Sequence, residues 1–443
     1  MMKQYDSYKD SGVQWIGEIP SHWDMVKIKY DFTIYPGATP KTENENFWDG
    51  EIIWITPADY KTNDKYVKAG QRKITKEGYE SCNTQLVPEG SLIFSKRAPI
   101  GTVAISGADL CTNQGCLSCV PKNVDVLYFY YIASVSTELF DLFGSGTTFK
   151  EISADVFANI KLPLPSLNEQ KTISAYLDKK CEKINKAIAT QQKRIDLLGE
   201  LRQNIITHAV THGINPDAPL KDSGVEWIGE VPEHWKIMPI KYVKSKAPNA
   251  FVDGPFGSNL KSEHFIENGE VLVIESGFIT TGKFVYKDFK TISKEHFETI
   301  KRSQCKAHDI IIAKIGANYG MAGELPDLGK LSVVSGNSLK ITLDNSKMLN
   351  TIFVNAMNSA KNNSGFMGMV QENAQPALSL SGLNNFKLPV PPLSEQLEIL
   401  SHIESKTDSI DKSIAKAERQ IELLQELKQS IITEVVTGKR KVC

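Results

Sequence analysis

The sequence lacks most of the features that would assign it a class at once. Its 443 residues include seven cysteines, Cys82, Cys111, Cys116, Cys119, Cys181, Cys305 and Cys443. An odd, scattered set does not make a disulfide framework. Only Cys116 and Cys119 stand at a CxxC spacing, and no second CxxC supplies the remaining ligands of a structural zinc. We therefore expect reduced thiols in a strand-rich core and no metal. No apolar run approaches the ~18 residues of a membrane span. The opening stretch, MMKQYDSYKDSG, is polar and holds no apolar core of a secretory signal, so we expect a cytoplasmic protein. Net charge is only −1. Composition alone does not mark a nucleic-acid binder, for which a basic domain is the usual sign. Such binding depends on where the charges lie, and a partner subunit can supply phosphate contacts.

Catalytic motifs are missing as well. The sequence holds no Asn/Asp-Pro-Pro-aromatic motif of the kind an amino-methyltransferase uses to hold its target amine. GxGxxG, HExxH and GxSxG are absent. The nearest approach to a P-loop runs from Gly277 to Gly282 and Lys283. It fails at Phe284, where a Ser or Thr hydroxyl would reach Mg²⁺, and it lies between strand-like runs instead of opening a helix. We expect no catalytic residues and no cofactor in this chain.

What the sequence does have is one unit written twice. Asp10–Tyr30 reads DSGVQWIGEIPSHWDMVKIKY and Asp222–Tyr242 reads DSGVEWIGEVPEHWKIMPIKY, identical at about two thirds of positions. A second pair follows: Lys161–Thr211 opens KLPLPSLNEQ and ends LRQNIITHAVT, and Lys387–Thr437 opens KLPVPPLSEQ and ends LKQSIITEVVT. The copies lie much further apart than the ~20–50 residues of a solenoid repeat, so this is a duplicated domain. Pro163, Pro165, Pro389 and Pro391 break any earlier helix. Asn168 or Ser394 then offers an N-cap to a helix of ~45 residues, about 65 Å long.

Apolar residues recur in these helices at alternating steps of three and four. The first seam is Ile184, Ile188, Ile195, Leu198, Ile205 and Ala209; the second is Ile410, Ile414, Ile421, Leu424, Ile431 and Val435. That is a coiled-coil seam, interrupted by Gln191 and Arg202 in one copy and by Ala417 and Lys428 in the other. A basic side chain in a seam fixes register or snorkels to water; the sequence leaves both open. A long helix with a single apolar stripe needs a partner, and the other copy is the obvious one. An antiparallel pair would relate the globular segments by an approximate two-fold axis, the symmetry that readers of spaced DNA half-sites exploit.

The segments between these repeats mix short apolar runs with Gly, Pro, Asn and Asp turns. Glu51–Thr56, Gly90–Lys96, Gly101–Ser106, Glu270–Ser276 and Asp309–Gly316 are strand-like, while Val126–Leu142 and Met348–Ala360 suggest helices. The fold class expected is α+β: two domains with twisted mixed sheets, separated by two long helices packed as an antiparallel coiled coil. The divisions are an N-terminal flank 1–24, domain 25–165, helix 166–213, repeated flank 214–236, domain 237–391, helix 392–437 and tail 438–443. The two globular segments align only loosely, with Lys96 over Lys314 and Gln114 near Asn337.

Pro36–Tyr60, Pro88–Ile105, Cys111–Gly115 and Gly144–Gln170 in the first half, with Asp253–Phe265 and His308–Gly316 in the second, resemble the target recognition domains of type I restriction-modification specificity subunits. His308 stands where that family usually has Gly, which affects only a turn. The resemblance covers nearly the whole chain. It implies a non-catalytic subunit whose two domains each read half of an asymmetric bipartite site in double-stranded DNA. It also implies two helices that space the halves and help dock two methylase subunits, which bind S-adenosylmethionine, and two restriction subunits, which use ATP and Mg²⁺. Candidate DNA contacts, chosen as polar loop residues able to meet bases or phosphates, are Lys41, Lys96, Arg97, Asn113 and Gln114 in the first domain. In the second they are Asn259, Lys261, Lys314, Asn337 and Gln371. Each competes with an ordinary solvated role. Trp15, Trp23, Trp48 and Trp54 are read as packing residues. Two other readings stand beside this one: a self-contained DNA methyltransferase or nuclease, and a coiled-coil scaffold with no DNA target.

Overall fold

The computed structural model describes residues 4–442 except 62–63, 98, 146–149, 256, 281 and 371–375. Compactness divides the chain into two units, Met1–Gln192 with Glu418–Cys443, and Lys193–Ala417. Each unit therefore holds one globular segment and parts of both long helices.

In the first unit the main sheet contains β1 (Phe32–Pro36), β3 (Tyr66–Val67), β5 (Leu92–Ser95), β6 (Val103–Ser106) and β8 (Cys116–Pro121), in the order β1-β8-β5-β6-β3. A smaller sheet sets β2 (Trp48–Ile55) between β4 (Arg72–Ile74), antiparallel, and β7 (Cys111–Thr112), parallel. Successive strand residues point to opposite faces. Leu92, Phe94, Leu117 and Cys119 enter the core under α1 (Val126–Ser134), while Ile93 and Cys116 enter a second core with Ile55, Tyr60 and Val67. Both faces are covered, which is why β5 and β6 read as unbroken apolar runs and not as alternating ones. It also disposes of the CxxC: Cys116 and Cys119 serve different cores, so they do not converge on one ion. Burial pushes the Cys116 thiol up to about 12 and that of Cys119 further.

The second unit repeats the central pairings of this topology with other residues, in sheets of four and four strands against five and three. β9 (Phe251–Asp253), β13 (Ile310–Ala313), β14 (Ala322–Glu324) and β16 (Ser338–Ile341) form the sheet β9-β16-β13-β14. β10 (Val271–Ile274) pairs antiparallel with β11 (Lys290–Ile292) and parallel with β15 (Leu331–Val334), which in turn pairs with β12 (Gln304–Cys305). The counterpart of α1 is α3 (Asn350–Asn362). The stretch expected as one helix from Val126 to Leu142 is two, because Val126–Ser134 stops before a second helix at Thr137–Leu142. The Ser134 and Ser136 hydroxyls donate to the carbonyls of Tyr131 (2.7 Å) and Ile132 (2.6 Å), competing with the helical ladder.

The long helices are α2 (Leu167–His212, 46 residues) and α4 (Leu393–Val436, 44 residues). Asn168 and Ser394, expected as caps, lie inside the first turn. Ser166 caps α2, its Oγ accepting from the Glu169 amide at 3.3 Å, and the Pro392 carbonyl accepts the Gln396 amide in α4. The helices start earlier because each follows directly on an extended Pro-containing strand, Lys161–Leu164 or Lys387–Val390.

The repeated Glu-Gln of the first turn ties each helix to its domain. Gln170 is buried; its Oε1 accepts the Asp125 amide at the start of α1 (2.9 Å) and its Nε2 donates to the Pro165 carbonyl (2.9 Å). Gln396 accepts the Leu349 amide at the start of α3 (2.8 Å) and donates to the carbonyls of Lys347 and Pro391 (both 2.8 Å). The neighbouring carboxylates hold the repeated flanks. Glu169 meets His22 (3.2 Å) and Tyr5 (2.7 Å); Glu395 meets His234 (2.8 Å) and the Trp235 indole (2.9 Å). At the other helix ends Gly213 and Gly438 adopt φ of +77° and +75°, the left-handed termination that favours glycine. A Cβ on Gly438 would stand 2.2 Å from Pro20, and one on Gly213 3.3 Å from Trp235. So α4 ends on the first flank in one unit, as α2 ends on the second flank in the other.

In the first unit Ile184 and Ile188 of α2 share a core with Ile431, Ile432 and Val435 of α4; in the second, Ile206, Ala209 and Val210 share one with Ile399 and Ile403. The early part of one helix meets the late part of the other each time, so the pair is antiparallel. All ten isoleucine and leucine seam residues are buried or half-buried. Ile206, Val210, Ile432 and Val436 beside the seam are buried too, because the domain covers a second stripe at each helix end. Arg202 Nε donates to Asp411 at 2.7 Å, which settles its role as a cross-helix pair and not a snorkelling charge. Replacing Gln396 by Ala leaves a buried amide and two carbonyls without partners. We expect a loss of about 2–3 kcal/mol in denaturant unfolding of the full chain, against less than about 0.5 kcal/mol for the exposed Lys416→Ala.

Candidate nucleic-acid interface

Antiparallel pairing brings alternate strand ends to one edge of each main sheet. In the first unit the end of β1, the end of β5 and the start of β8 converge, and the loops that leave them are Gly37–Lys41, Lys96–Arg97 and Asn113–Gly115. Gly37 donates to the Cys116 carbonyl and Lys96 to that of Gly115. The second unit matches these bonds one for one: Gly254 donates to Ser338 and Lys314 to Asn337. A Cβ on Gly37 would fall 2.1 Å from the Asn113 carbonyl, and one on Gly254 1.9 Å from that of Ser335. Both loops need glycine at that crossing. The bonds put Asn337 at the place of Gly115, next to Gln114 as the alignment expects.

The expected contact residues that are described lie on or just after the loops that leave this edge, in three states. Lys41, Gln114, Asn259, Lys261 and Asn337 are exposed. Of these, Gln114 Oε1 accepts from the Thr39 hydroxyl across the loop gap. Asn113 is turned inward, its Oδ1 accepting the Gly115 amide at 2.9 Å. Lys96, Arg97 and Lys314 are half-buried and already paired. Glu151 takes Lys96 at 2.6 Å and Arg97 at 3.6 Å, and Asp253 takes Lys314 at 3.3 Å and Arg302 at 3.4 Å. Gln371 lies outside the described residues.

Several neighbours escaped the sequence reading. Glu151 is remote in sequence from Lys96, and Arg302 from the Asp253 that it shares with Lys314. His264 and His296 stack at 4.0 Å beside Asn259, whose carbonyl meets His296 Nε2 at 2.9 Å. Two histidines 32 positions apart give no sequence signal of being neighbours. Trp23, Trp48 and Trp54 are buried and Trp15 is half-buried, as packing residues are. Trp48 carries the Arg72 guanidinium 3.5 Å from its ring centre. Among its described residues the Gly277–Lys283 stretch holds only part of the short 3-10 turn Ser276–Ile279.

The type I restriction modification DNA specificity domain matches this sequence twice, over residues 20–195 and 256–423. The chain belongs to that family. It is a specificity subunit with two target recognition domains, and some of its relatives match it almost end to end. The type I restriction enzyme MjaIX specificity subunit of Methanocaldococcus jannaschii is 25% identical over 441 residues, spanning 96% of this chain and 95% of its own. The EcoBI specificity subunit of Escherichia coli is 23% identical, spanning 83% and 78%. A solved chain from work on complex assembly and conformational transition of the type I R-M system superposes with a TM-score of 0.65. It is 12% identical and the match covers 94% of this chain and 98% of that one, so the likeness is one of fold. No helix among the described residues is long and apolar enough to cross a membrane.

In this specificity subunit Lys96 and Arg97 share one carboxylate, Glu151. Glu151→Gln is expected to release both. Duplex binding should tighten at low salt, and its salt dependence should steepen by about one to two phosphate contacts. Titrating the full chain with a random-sequence duplex at several salt concentrations checks this; an unchanged slope would show that neither cation faces phosphate.

Proposed function

We propose that this chain is the DNA-reading subunit of a type I restriction-modification complex, non-catalytic by itself. In this reading each unit reads one half of an asymmetric bipartite site, and the long helices space the halves and scaffold two methylase and two restriction subunits. S-adenosylmethionine, ATP and Mg²⁺ belong to those partners, and the complex works in the cytoplasm.

One observation carries the reading. Both units present loops from the same sheet edge, on the same backbone bonds, with different side chains: Lys41, Lys96, Arg97 and Gln114 in one, Asn259, Lys261, Lys314 and Asn337 in the other. Sequence readout depends on which donors and acceptors meet the base edges. Like scaffolds with unlike loops suit two unlike half-sites.

The scaffold role draws on the helices. Leu197 and Leu201 of α2, and Leu423 and Leu427 at the matching places of α4, are each about half exposed. Leucines at i, i+4 make a short apolar strip on each helix, and a repeated strip suits a partner present in two copies. Exchanging Met25–Ile160 for the same segment of a relative should change one half of the methylated motif and leave the other half and the gap intact. Methylation-sensitive sequencing reads this directly; a change in both halves would refute the modular reading.

A further inference from the structure

One surface feature, an exposed tyrosine beside a lysine held by an asparagine, is built twice on units whose loops differ. In the first unit Tyr30 is 64% exposed, with the Lys29 ammonium 5.7 Å from its ring centre. Lys29 Nζ also donates to Asn159 Oδ1 at 2.8 Å, and Asn159 Nδ2 is anchored on the Asp155 carbonyl at 2.8 Å. In the second unit Tyr242 is 54% exposed, with Lys241 5.4 Å from its ring centre. Lys241 donates to Asn385 Oδ1 at 2.9 Å, and Asn385 is anchored on the Ser381 carbonyl at 3.1 Å. A second lysine closes each patch on a main-chain oxygen: Lys122 on Lys29 and Lys347 on Tyr242, both at 3.0 Å.

Neither tyrosine is needed by a core, since more than half of each faces water. Holding the adjoining lysine in place costs side-chain entropy, and an ordered, exposed aromatic is the type of residue that anchors protein interfaces. Lys347 is paired with Asp344 at 3.2 Å, but Lys29 and Lys241 form no ion pair among the described residues, so each patch keeps the positive charge of the lysine beside its tyrosine.

Its place in the fold separates it from the reading loops. Tyr30 precedes β1 and Lys122 follows β8, whereas Gly37–Lys41 and Asn113–Gly115 lie at the other ends of those two strands. Five strand residues put about 17 Å between the two edges. In the second unit Lys347 and Tyr242 stand in the same way opposite Asn337 and Gly254. Reading loops differ because their targets differ; a patch that is the same twice meets the same thing twice.

We propose that the Lys-Tyr-Asn patches at Tyr30 and Tyr242 are docking points for two copies of one protein, the modification subunit. Each copy seats an acidic surface over one Tyr-Lys pair. The proposal rests on the specificity-subunit reading above.

The test co-expresses the full chain with the modification subunit of its own system and counts bound copies by native mass spectrometry across a dilution series. Tyr30→Ala and Tyr242→Ala should each weaken one of the two copies about tenfold or more, and the double variant both. Lys29→Glu and Lys241→Glu, which reverse an exposed charge without touching the core, should do the same. Unaltered binding of two copies by all variants would overturn the proposal. So would normal stoichiometry with a loss of salt-dependent duplex affinity, which would make the patches DNA-backbone contacts instead. Failure of the unsubstituted chain to bind any modification subunit would instead strike at the specificity-subunit reading itself.

Discussion

Everything in this fold hangs on the first turn of each long helix, where a glutamate and a glutamine hold two different things at once. The glutamine is buried and bonds the domain helix that backs the main sheet. The glutamate reaches outward to the flank that receives the end of the other long helix. A buried amide satisfied on both sides is costly to disturb, so the domain, the start of one helix and the end of the other are fixed together. The same joint is made twice, once in each unit.

That joint explains how the chain divides labour. Flanks, helix starts and helix ends are alike in sequence because they make the same bonds in both units. The sheets keep the same central strand pairings through unlike residues, because a strand covered on both faces asks only for apolar side chains of fitting size. The loops at the reading edge are released from both constraints, apart from the glycines at Gly37 and Gly254, and there the copies differ most. The paired cations Lys96 and Lys314 add a shared electrostatic device. Each follows the same strand and meets a carboxylate, yet Glu151 comes from the segment leading to α2 and Asp253 from the end of β9.

How much of this could be read in the sequence follows from the range of the interactions involved. Helical periodicity and the duplicated flanks are local patterns, and they located the helices, the seam and the repeat. The strands were visible as apolar runs, but their shared central pairings were not, because strand pairing joins residues as distant as Phe32 and Pro121. The helix starts were misplaced by one or two residues, since Ser166 does the capping expected of Asn168, and the first intrahelical bond of the second long helix is accepted by Pro392, ahead of Ser394. At the candidate interface the loops were found by composition, while the partners that restrain them, Glu151, Arg302 and the stacked His264 and His296, are brought in only by the fold.

The central claim is that a nearly symmetric scaffold carries two unlike readers. Mapping methylated adenines across the host genome with and without this chain tests it most directly. The account predicts a two-part motif with unlike halves and a fixed gap that disappears when the chain is removed. A palindromic or uninterrupted motif, or methylation that persists without the chain, would contradict it.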